Sequence, residues 1–204
     1  MGPVRDRAFF VTHYHRADRG PFQSLSDVAD DDLEPVLAGL AEGSRRRFGP
    51  RYLALRRATE ARAYALFEAA GGRPERRHPH YFVLGESAWF AGLYDDRRAV
   101  RIPLAELPPS VTSFTWVDSI AALGLGVSLG VPQPVEEWKQ QVHRLDELDE
   151  LDRSSTGGRA TTPASGPLDY DGHQWRLVDQ YVEVQLWSDD PVRGHLHAED
   201  RPSP

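Results

Sequence analysis

Alternation of apolar and polar side chains predicts the first and last strands of the chain. Residues 8–15, AFFVTHYH, place Val11 and His13 on one face and Thr12 on the other, because successive side chains of a strand point to opposite sides. Residues 180–187, QYVEVQLW, alternate most regularly and are rich in residues that favour strands. Similar patterns predict further strands at residues 80–86, 100–107 and 111–116.

A helical hydrophobic period predicts two helices in the N-terminal half. The first follows Asp30–Asp32, whose carboxylates suit a helix N-terminus, and it carries the apolar stripe Leu33, Val36, Leu37 and Leu40. The second runs from Pro50 to about Ala70, where Gly71-Gly72 stops it. On this second helix we expect four charged residues to be solvated: Arg56, Arg57, Glu60 and Arg62.

These segments predict one α+β domain over residues 1–204, with a mixed or antiparallel central sheet and the two helices packed on it. Hydrophobic residues make up 40% of the chain, enough to bury a core. Residues 135–152 fit either an acidic helix or a short strand at Val142–Leu145 followed by a helical turn. Residues 153–168 are small and polar, which predicts a mobile surface loop, and we expect a flexible tail from about residue 194.

The composition excludes several classes of chemistry. The chain has no cysteine, so disulfides, thiolate metal ligands and a cysteine nucleophile are excluded. Serine-hydrolase, P-loop and dinucleotide-binding fingerprints are also absent from the sequence. No apolar segment approaches the ~20 residues that span a bilayer, and no signal-peptide pattern stands at the start, so we expect a cytoplasmic protein.

An arginine-rich segment contrasts with the acidic remainder of the chain. The formal net charge is −7, yet residues 45–77 contain ten arginines against the three glutamates at positions 60, 68 and 75. One hypothesis is a non-catalytic regulatory module that binds nucleic acid or an acidic partner, through Arg45, Arg46, Arg47, Arg51 and Arg56. The alternative is a solvated helix face in a chain that uses arginine throughout, since Lys139 is its one lysine.

Three His-x-His pairs suggest a metal enzyme as a further alternative. The pairs are His13/His15, His78/His80 and His195/His197. Residues i and i+2 of a strand share a face, so one pair could offer two imidazoles to one ion. No Asp or Glu stands at a recognisable ligand spacing from these pairs, and we therefore predict no metal site.

Glu183 is an acidic residue at the centre of the most regular strand. Val182, Val184 and Leu186 form the apolar face of this strand, and Glu183 lies on the other face beside Tyr181. A carboxylate there is either solvated or lines a cleft, where burial among aromatic rings would perturb its pKa and suit it to catalysis.

The first and last strands carry the sequence motifs that indicate a function. Phe10–Tyr14 reads FVTHY, and Val182–Leu186 reads VEVQL with Asp190-Pro191-Val192 after it. Together they resemble the DNA-targeting ADP-ribosyltransferase toxins and the wider ADP-ribosyltransferase fold. The first motif and the segment Phe114–Ser119 also resemble a bacterial family to which we attach no activity.

The resemblance implies an enzyme that uses NAD as its cofactor. It assigns the ribose hydroxyls to His13 of the first strand, with Thr12 beside it at the cofactor. It assigns nicotinamide stacking to an aromatic residue of a middle strand, here Tyr81. Glu183 would bind the ribose and stabilise the oxocarbenium-like transition state. We therefore expect the catalytic residues His13 and Glu183 to lie on adjacent central strands and to face one cleft.

The composition of residues 153–168 leads to a prediction for limited proteolysis. The segment offers almost no apolar side chain to bury, so a protease should cut there first and leave the remaining domain intact. Mass spectrometry of the early fragments checks this expectation. First cleavage elsewhere, with residues 153–168 protected, would contradict it.

Overall fold

The computed structural model describes residues 10–41, 50–127, 133–148 and 181–196. Outside these ranges lie the predicted loop at 153–168, Arg45, Arg46, Arg47 and His197, together with the side chain of Arg51. Within the described residues the α+β class is confirmed, because an antiparallel sheet is accompanied by the two expected helices. None of the helices in these ranges combines the length and apolar character that a bilayer span requires.

The described part of the chain forms a six-stranded sheet with the order β3-β1-β2-β6-β4-β5. The strands are β1 Phe10–Arg16, β2 His80–Leu84, β3 Arg97–Pro103, β4 Thr112–Trp116, β5 His143–Arg144 and β6 Val182–Leu186. All neighbouring pairs are antiparallel. In the ambiguous segment, β5 is followed by a 3₁₀ turn at Leu145–Glu147, as the second alternative predicts.

The two long helices begin and end close to the predicted positions. Helix α1 spans Leu33–Ala41 after a 3₁₀ turn at Asp30–Asp32, and α2 spans Pro50–Ala69. Gly71 follows α2 with φ 86°, a left-handed conformation that glycine adopts without strain and that ends the helix. Shorter helices are α3 Ala88–Ala91, α4 Ser119–Ala122 and α5 Asp190–Arg193.

Strand β3 begins and ends earlier in the chain than its apolar pattern predicts. It spans Arg97–Pro103 instead of residues 100–107, and a 3₁₀ turn follows it. Its seven residues pair one by one with the seven residues of β1. The bounds of β3 are therefore set by its partner strand, since cross-strand contacts govern strand formation more than local sequence does.

The two faces of the sheet differ in chemistry. On one face, Phe82, Val184 and Phe114 lie in a cross-strand row and belong to the main hydrophobic core. On the other face, Glu183 and Thr115 are paired and buried. We call these the apolar face and the polar face. The predicted alternation along the last strand is confirmed by this arrangement.

Strands β1 and β2 separate after a short ladder. Its residue pairs are Val11–Leu84 and Thr12–Val83. Beyond Thr12, β1 continues to Arg16 in register with β3, while β2 extends back to His80 in register with β6. We call the gap between these diverging segments the fork. The fork interrupts the hydrogen-bonding of the sheet next to its centre.

Gly72 lies against the ring of Phe67, which leads to a prediction for stability. A Cβ at Gly72 would approach three ring atoms to 2.5–2.6 Å. Phe67 is fully buried and stacks on Trp187 with 6.3 Å between ring centroids, so its ring cannot move aside freely. We expect Gly72→Ala to lower the free energy of unfolding by about 1–3 kcal/mol, measured by chemical denaturation.

Gly39→Ala is the matched control for this substitution. Gly39 lies in α1, and a Cβ there would meet no atom within 4 Å. Alanine favours the helical backbone, so this variant should be more stable than the parent by up to about 1 kcal/mol. Equal stability of the Gly72→Ala variant and the parent would contradict the packing argument.

Candidate active site

A cavity of about 170 Å³ lies at the fork. His13 and Phe82 line it from the apolar face, while Thr12, Tyr81 and Glu183 line it from the polar face. The cavity therefore extends through the sheet between β1 and β2. Its remaining walls include Phe22, Tyr52, Arg56, Phe90, Asp118 and Ser119.

Backbone strain marks two segments beside this cavity. Among the described residues, the non-glycine positions with positive φ are Phe22 at 64° and Val117 at 112°. Phe22 lines the cavity, and Val117 directly precedes the cavity residue Asp118. Positive φ is especially unfavourable for a β-branched residue, and such strain is concentrated at functional sites.

His13 bridges the fork through both of its ring nitrogens. Nδ1 lies 2.8 Å from the carbonyl oxygen of Tyr81, and Nε2 lies 3.1 Å from the amide nitrogen of Phe22. Because the amide can only donate, Nε2 accepts its hydrogen and Nδ1–H donates to the carbonyl. Burial lowers the pKa of His13 to about 3, so the ring is neutral.

This geometry corrects the role that the sequence predicts for His13. Both ring nitrogens are bonded to the backbone, so neither is free to hold ribose hydroxyls or to transfer a proton. Strand β2 lies between β1 and β6, and the His13 ring contacts Phe22 and Phe82 on the apolar face. The prediction that His13 and Glu183 lie on adjacent strands and share a face is therefore wrong. Strand β2 separates them, and they line the cavity from opposite faces of the sheet.

Thr12 and Glu183 do share a face. The register aligns Thr12 with Val83, and Val83 with Glu183, so the Cα atoms of Thr12 and Glu183 are roughly 10 Å apart across two strand spacings. The Thr12 hydroxyl donates to the carbonyl oxygen of Gly85 at 2.5 Å. Its oxygen can still accept a hydrogen bond from a group in the cavity.

A chain of hydrogen bonds fixes the carboxylate of Glu183. Trp187 Nε1–H donates to Ser113 Oγ at 2.8 Å, and the Ser113 hydroxyl donates to Gln185 Oε1 at 2.8 Å. Gln185 Nε2 then donates to Glu183 Oε1 at 2.9 Å. Because the ionised carboxylate of Glu183 can only accept, Gln185 turns its amide nitrogen towards Glu183 and its carbonyl oxygen towards the donating Ser113 hydroxyl. Glu183 Oε1 is therefore an acceptor, and any proton on this carboxyl group is carried by Oε2.

A second carboxylate shares a tyrosine hydroxyl with Glu183. The Tyr181 hydroxyl oxygen lies 3.2 Å from Asp118 Oδ2 and 3.4 Å from Glu183 Oε2. Asp118 also accepts two backbone N–H bonds at the start of α4. Burial, and then the charge of Asp118, raise the pKa of Glu183 to about 7. Glu183 therefore changes its charge near neutral pH, as groups that exchange protons or oppose a transient charge often do.

Two charged side chains of helix α2, those of Arg56 and Glu60, point towards the interior of the protein. Glu60 is fully buried and accepts from Arg56 Nε at 2.9 Å, from the Tyr81 hydroxyl at 3.1 Å and from His78 Nδ1 at 2.7 Å. The Arg56 guanidinium lies over the Tyr81 ring, 4.6 Å from its centroid. The expectation that Arg56 and Glu60 are solvated is therefore wrong, and Arg56 lines the cavity.

The histidine pairs do not form a metal centre in the described part of the chain. His13 and His15 share a face as predicted and stack with 5.9 Å between ring centroids. Their Nδ1 atoms are bonded to backbone carbonyls, while His78 and His80 interact with Glu60 and Asp189. No group of three or more potential ligands suited to an ion is found among the described residues.

Sequence reasoning missed Asp118 and gave no role to Tyr181 or Gln185. Alternation placed both of these residues on the strand face of Glu183, but it did not show that they interact with its carboxylate. Asp118 lies in the segment Phe114–Ser119, whose resemblance to a bacterial family carries no activity. Its place beside Glu183 follows from the pairing of β4 with β6, which the sequence pattern does not specify.

Comparison of the chain with protein-family models, with curated proteins and with solved structures finds no match. The site is therefore interpreted from its own geometry and from the two strand motifs.

The raised pKa of Glu183 leads to a prediction for stability against pH. Its pKa in the folded protein, about 7, lies above its ordinary value of 4.5, so the folded state binds the proton more tightly. The resulting stabilisation is complete below about pH 4.5 and is lost as the pH rises through about 7. The Glu183→Gln variant cannot ionise at this position and so avoids the loss. Near pH 8 its free energy of unfolding should exceed that of the parent by about 3 kcal/mol.

Chemical denaturation between about pH 5 and pH 8 measures this difference. The exposed Glu68 of α2 is the matched control. Glu68→Gln should leave the pH profile of the parent unchanged, since that carboxylate is solvated in both states. Parallel profiles for the Glu183→Gln variant and the parent would exclude a raised pKa at Glu183.

Proposed function

We propose that this protein is an ADP-ribosyl-transferring enzyme that uses NAD, with the cavity at the fork as its active site. The observation that carries the proposal is the buried carboxylate of Glu183, fixed by hydrogen bonds on the lining of an aromatic cavity. Asp118 shares the Tyr181 hydroxyl with it, so negative charge is concentrated on one wall. The resemblance of the first and last strands to the ADP-ribosyltransferase fold supports NAD as the donor.

The lining suits the nicotinamide and ribose end of NAD. Tyr81, Tyr52 and Phe90 offer aromatic surfaces beside the carboxylates, and a flat cationic pyridinium ring is attracted to aromatic faces. The cavity of about 170 Å³ is smaller than the roughly 300–1,000 Å³ of a pocket that encloses a drug-sized ligand. It therefore takes one end of the dinucleotide, and the adenosine end extends outside it.

The proposed reaction breaks the bond between the ribose C1′ and the nicotinamide nitrogen. The electron pair of that bond stays on the nitrogen, which neutralises the pyridinium and leaves positive charge on the ribose. Ionised Glu183 opposes this charge in a site with little water, where a fixed carboxylate is most effective. A nucleophile of the acceptor, or water, then bonds to C1′ and releases its proton to a carboxylate or to solvent.

In this proposal the role of His13 is structural. Its ring connects Tyr81 of β2 to Phe22 of the adjoining turn, and both of these residues line the cavity. The imidazole thereby sets the position of an aromatic wall without contacting the reacting atoms. Glu183 is the residue to which we assign the catalytic role.

Release of nicotinamide from NAD tests the proposal. Glu183→Gln keeps the shape of the side chain but removes its charge, so turnover should fall by at least about 100-fold, in the range seen when one electrostatic group of an active site is removed. Glu68→Gln, which changes an exposed carboxylate of α2, should keep parental turnover. Chromatographic measurement of nicotinamide with each purified variant gives the comparison.

The pH profile separates two roles for Glu183. If the ionised carboxylate stabilises the transition state, kcat should rise as the pH increases through about 7 and level off above it. Activity that falls over the same interval would assign Glu183 the role of a proton donor and contradict the mechanism. Absence of nicotinamide release by the parent protein, with NAD bound or unbound, would overturn the proposed function.

A further inference from the structure

A second cavity, of about 360 Å³, is lined by residues of α2 that do not line the cavity at the fork. The two cavities share no lining residue. The second cavity is bounded by the segment Ser26–Asp30, by Arg57 and Ala61 of α2, and by Arg77 and His78 before β2. Two arginines and a histidine therefore line one space. Asp30 is the one acidic residue on this lining.

The acidic residue is already neutralised. Asp30 Oδ1 accepts from Arg57 Nη1 at 2.7 Å, and Arg57 Nη2 donates to the carbonyl oxygen of Val28 at 2.8 Å. These bonds fix the guanidinium of Arg57 at the cavity and leave the charge of Arg77 unbalanced. Arg77 is exposed and has no ion-pair or hydrogen-bond partner among the described residues.

Two further polar groups of this cavity have unused hydrogen-bonding capacity. Ser26 is 3% exposed, and its hydroxyl has no hydrogen-bond partner in the described residues. His78 donates from Nδ1 to the buried Glu60, 2.7 Å away, which fixes the ring and directs Nε2 away from that carboxylate. The Ser26 hydroxyl oxygen has almost no accessible surface, so His78 Nε2 is the group of this pair that a ligand can reach.

We propose that this second cavity binds the phosphate group of a small phosphorylated molecule. Arg77 supplies the unbalanced positive charge, and the fixed guanidinium of Arg57 and His78 Nε2 supply hydrogen bonds. A tetrahedral oxyanion accepts several such bonds at once, and arginine matches its geometry well. In the neutral ring His78 Nε2 accepts from a protonated phosphate oxygen, and in the charged ring it donates.

The site is independent of the chemistry proposed at the fork. Glu183 and Asp118 do not line the second cavity. The Glu183→Gln variant should therefore bind phosphate with the same affinity as the parent protein. Isothermal titration with inorganic phosphate, pyrophosphate, ADP and adenosine tests the proposal and distinguishes free phosphate from a nucleotide. Phosphate-bearing compounds should bind in a saturable, salt-sensitive manner, and adenosine should not bind here.

Arg77→Ala should weaken binding of these phosphate compounds about tenfold or more, the loss expected for one charged hydrogen bond. Arg73→Ala is the matched control, because Arg73 is exposed on the same segment and does not line the cavity. That variant should bind like the parent.

Three outcomes would overturn the proposal. The first is no saturable binding of any phosphate compound by the parent protein. The second is an equal loss of affinity in the Arg73→Ala and Arg77→Ala variants, which would indicate attraction to general surface charge. The third is binding of adenosine as tight as that of ADP, which would show that the phosphate group is not recognised. Thermal unfolding of each variant verifies that the fold is retained.

Discussion

The neutral imidazole of His13 connects three parts of the protein that the sheet ladder leaves unconnected at the fork. It donates to the Tyr81 carbonyl of β2 and accepts from the Phe22 amide of the turn, while its own backbone belongs to β1. Both bonds require the ring to be neutral, because a protonated Nε2 could not accept from an amide. Burial lowers the pKa of His13 and so favours the neutral ring that makes both bonds.

The position of Glu183 follows from the strand register and from the partners that burial demands. A buried carboxylate is costly unless hydrogen bonds compensate for lost water. Here the bonds come from Gln185, Tyr181 and Ser119, and the carboxylate oxygens accept them. Burial favours the protonated carboxyl, whereas its hydrogen bonds favour the ionised one. These opposed effects bring its pKa close to neutrality.

Helix α2 separates the two cavities and has polar contacts on both sides. Arg56 faces the cavity at the fork, and the next residue, Arg57, lines the second cavity. Glu60 lies between them in the structure, where it binds Arg56 and the imidazole of His78. The helix thus combines a structural ion-pair network with residues available to two ligands. A change at Glu60 would disturb both cavities, because it would leave buried donors without a partner.

Local sequence patterns determine the strands β1, β2, β4 and β6 and the helices α1 and α2, since each pattern reflects the repeat of a single element. They also determine that Glu183 opposes the apolar face of β6, because alternation is a property of the strand itself. They do not determine strand order. The insertion of β2 between β1 and β6, and hence the separation of His13 from Glu183, depends on pairings between distant segments.

The direction of charged side chains is likewise decided by tertiary contacts. Arg56 and Glu60 resemble a solvated pair on a helix when read in sequence. In the structure Glu60 is buried and Arg56 is largely covered, because Tyr81 and His78 supply partners from β2 and the segment before it. Asp118 joins the site because β4 pairs with β6 and the strained backbone at Val117 turns the chain there. The sequence by itself thus determined the elements and the one catalytic carboxylate that we propose. Only the tertiary structure decided which residues surround it, because their contacts join residues that are far apart in the chain.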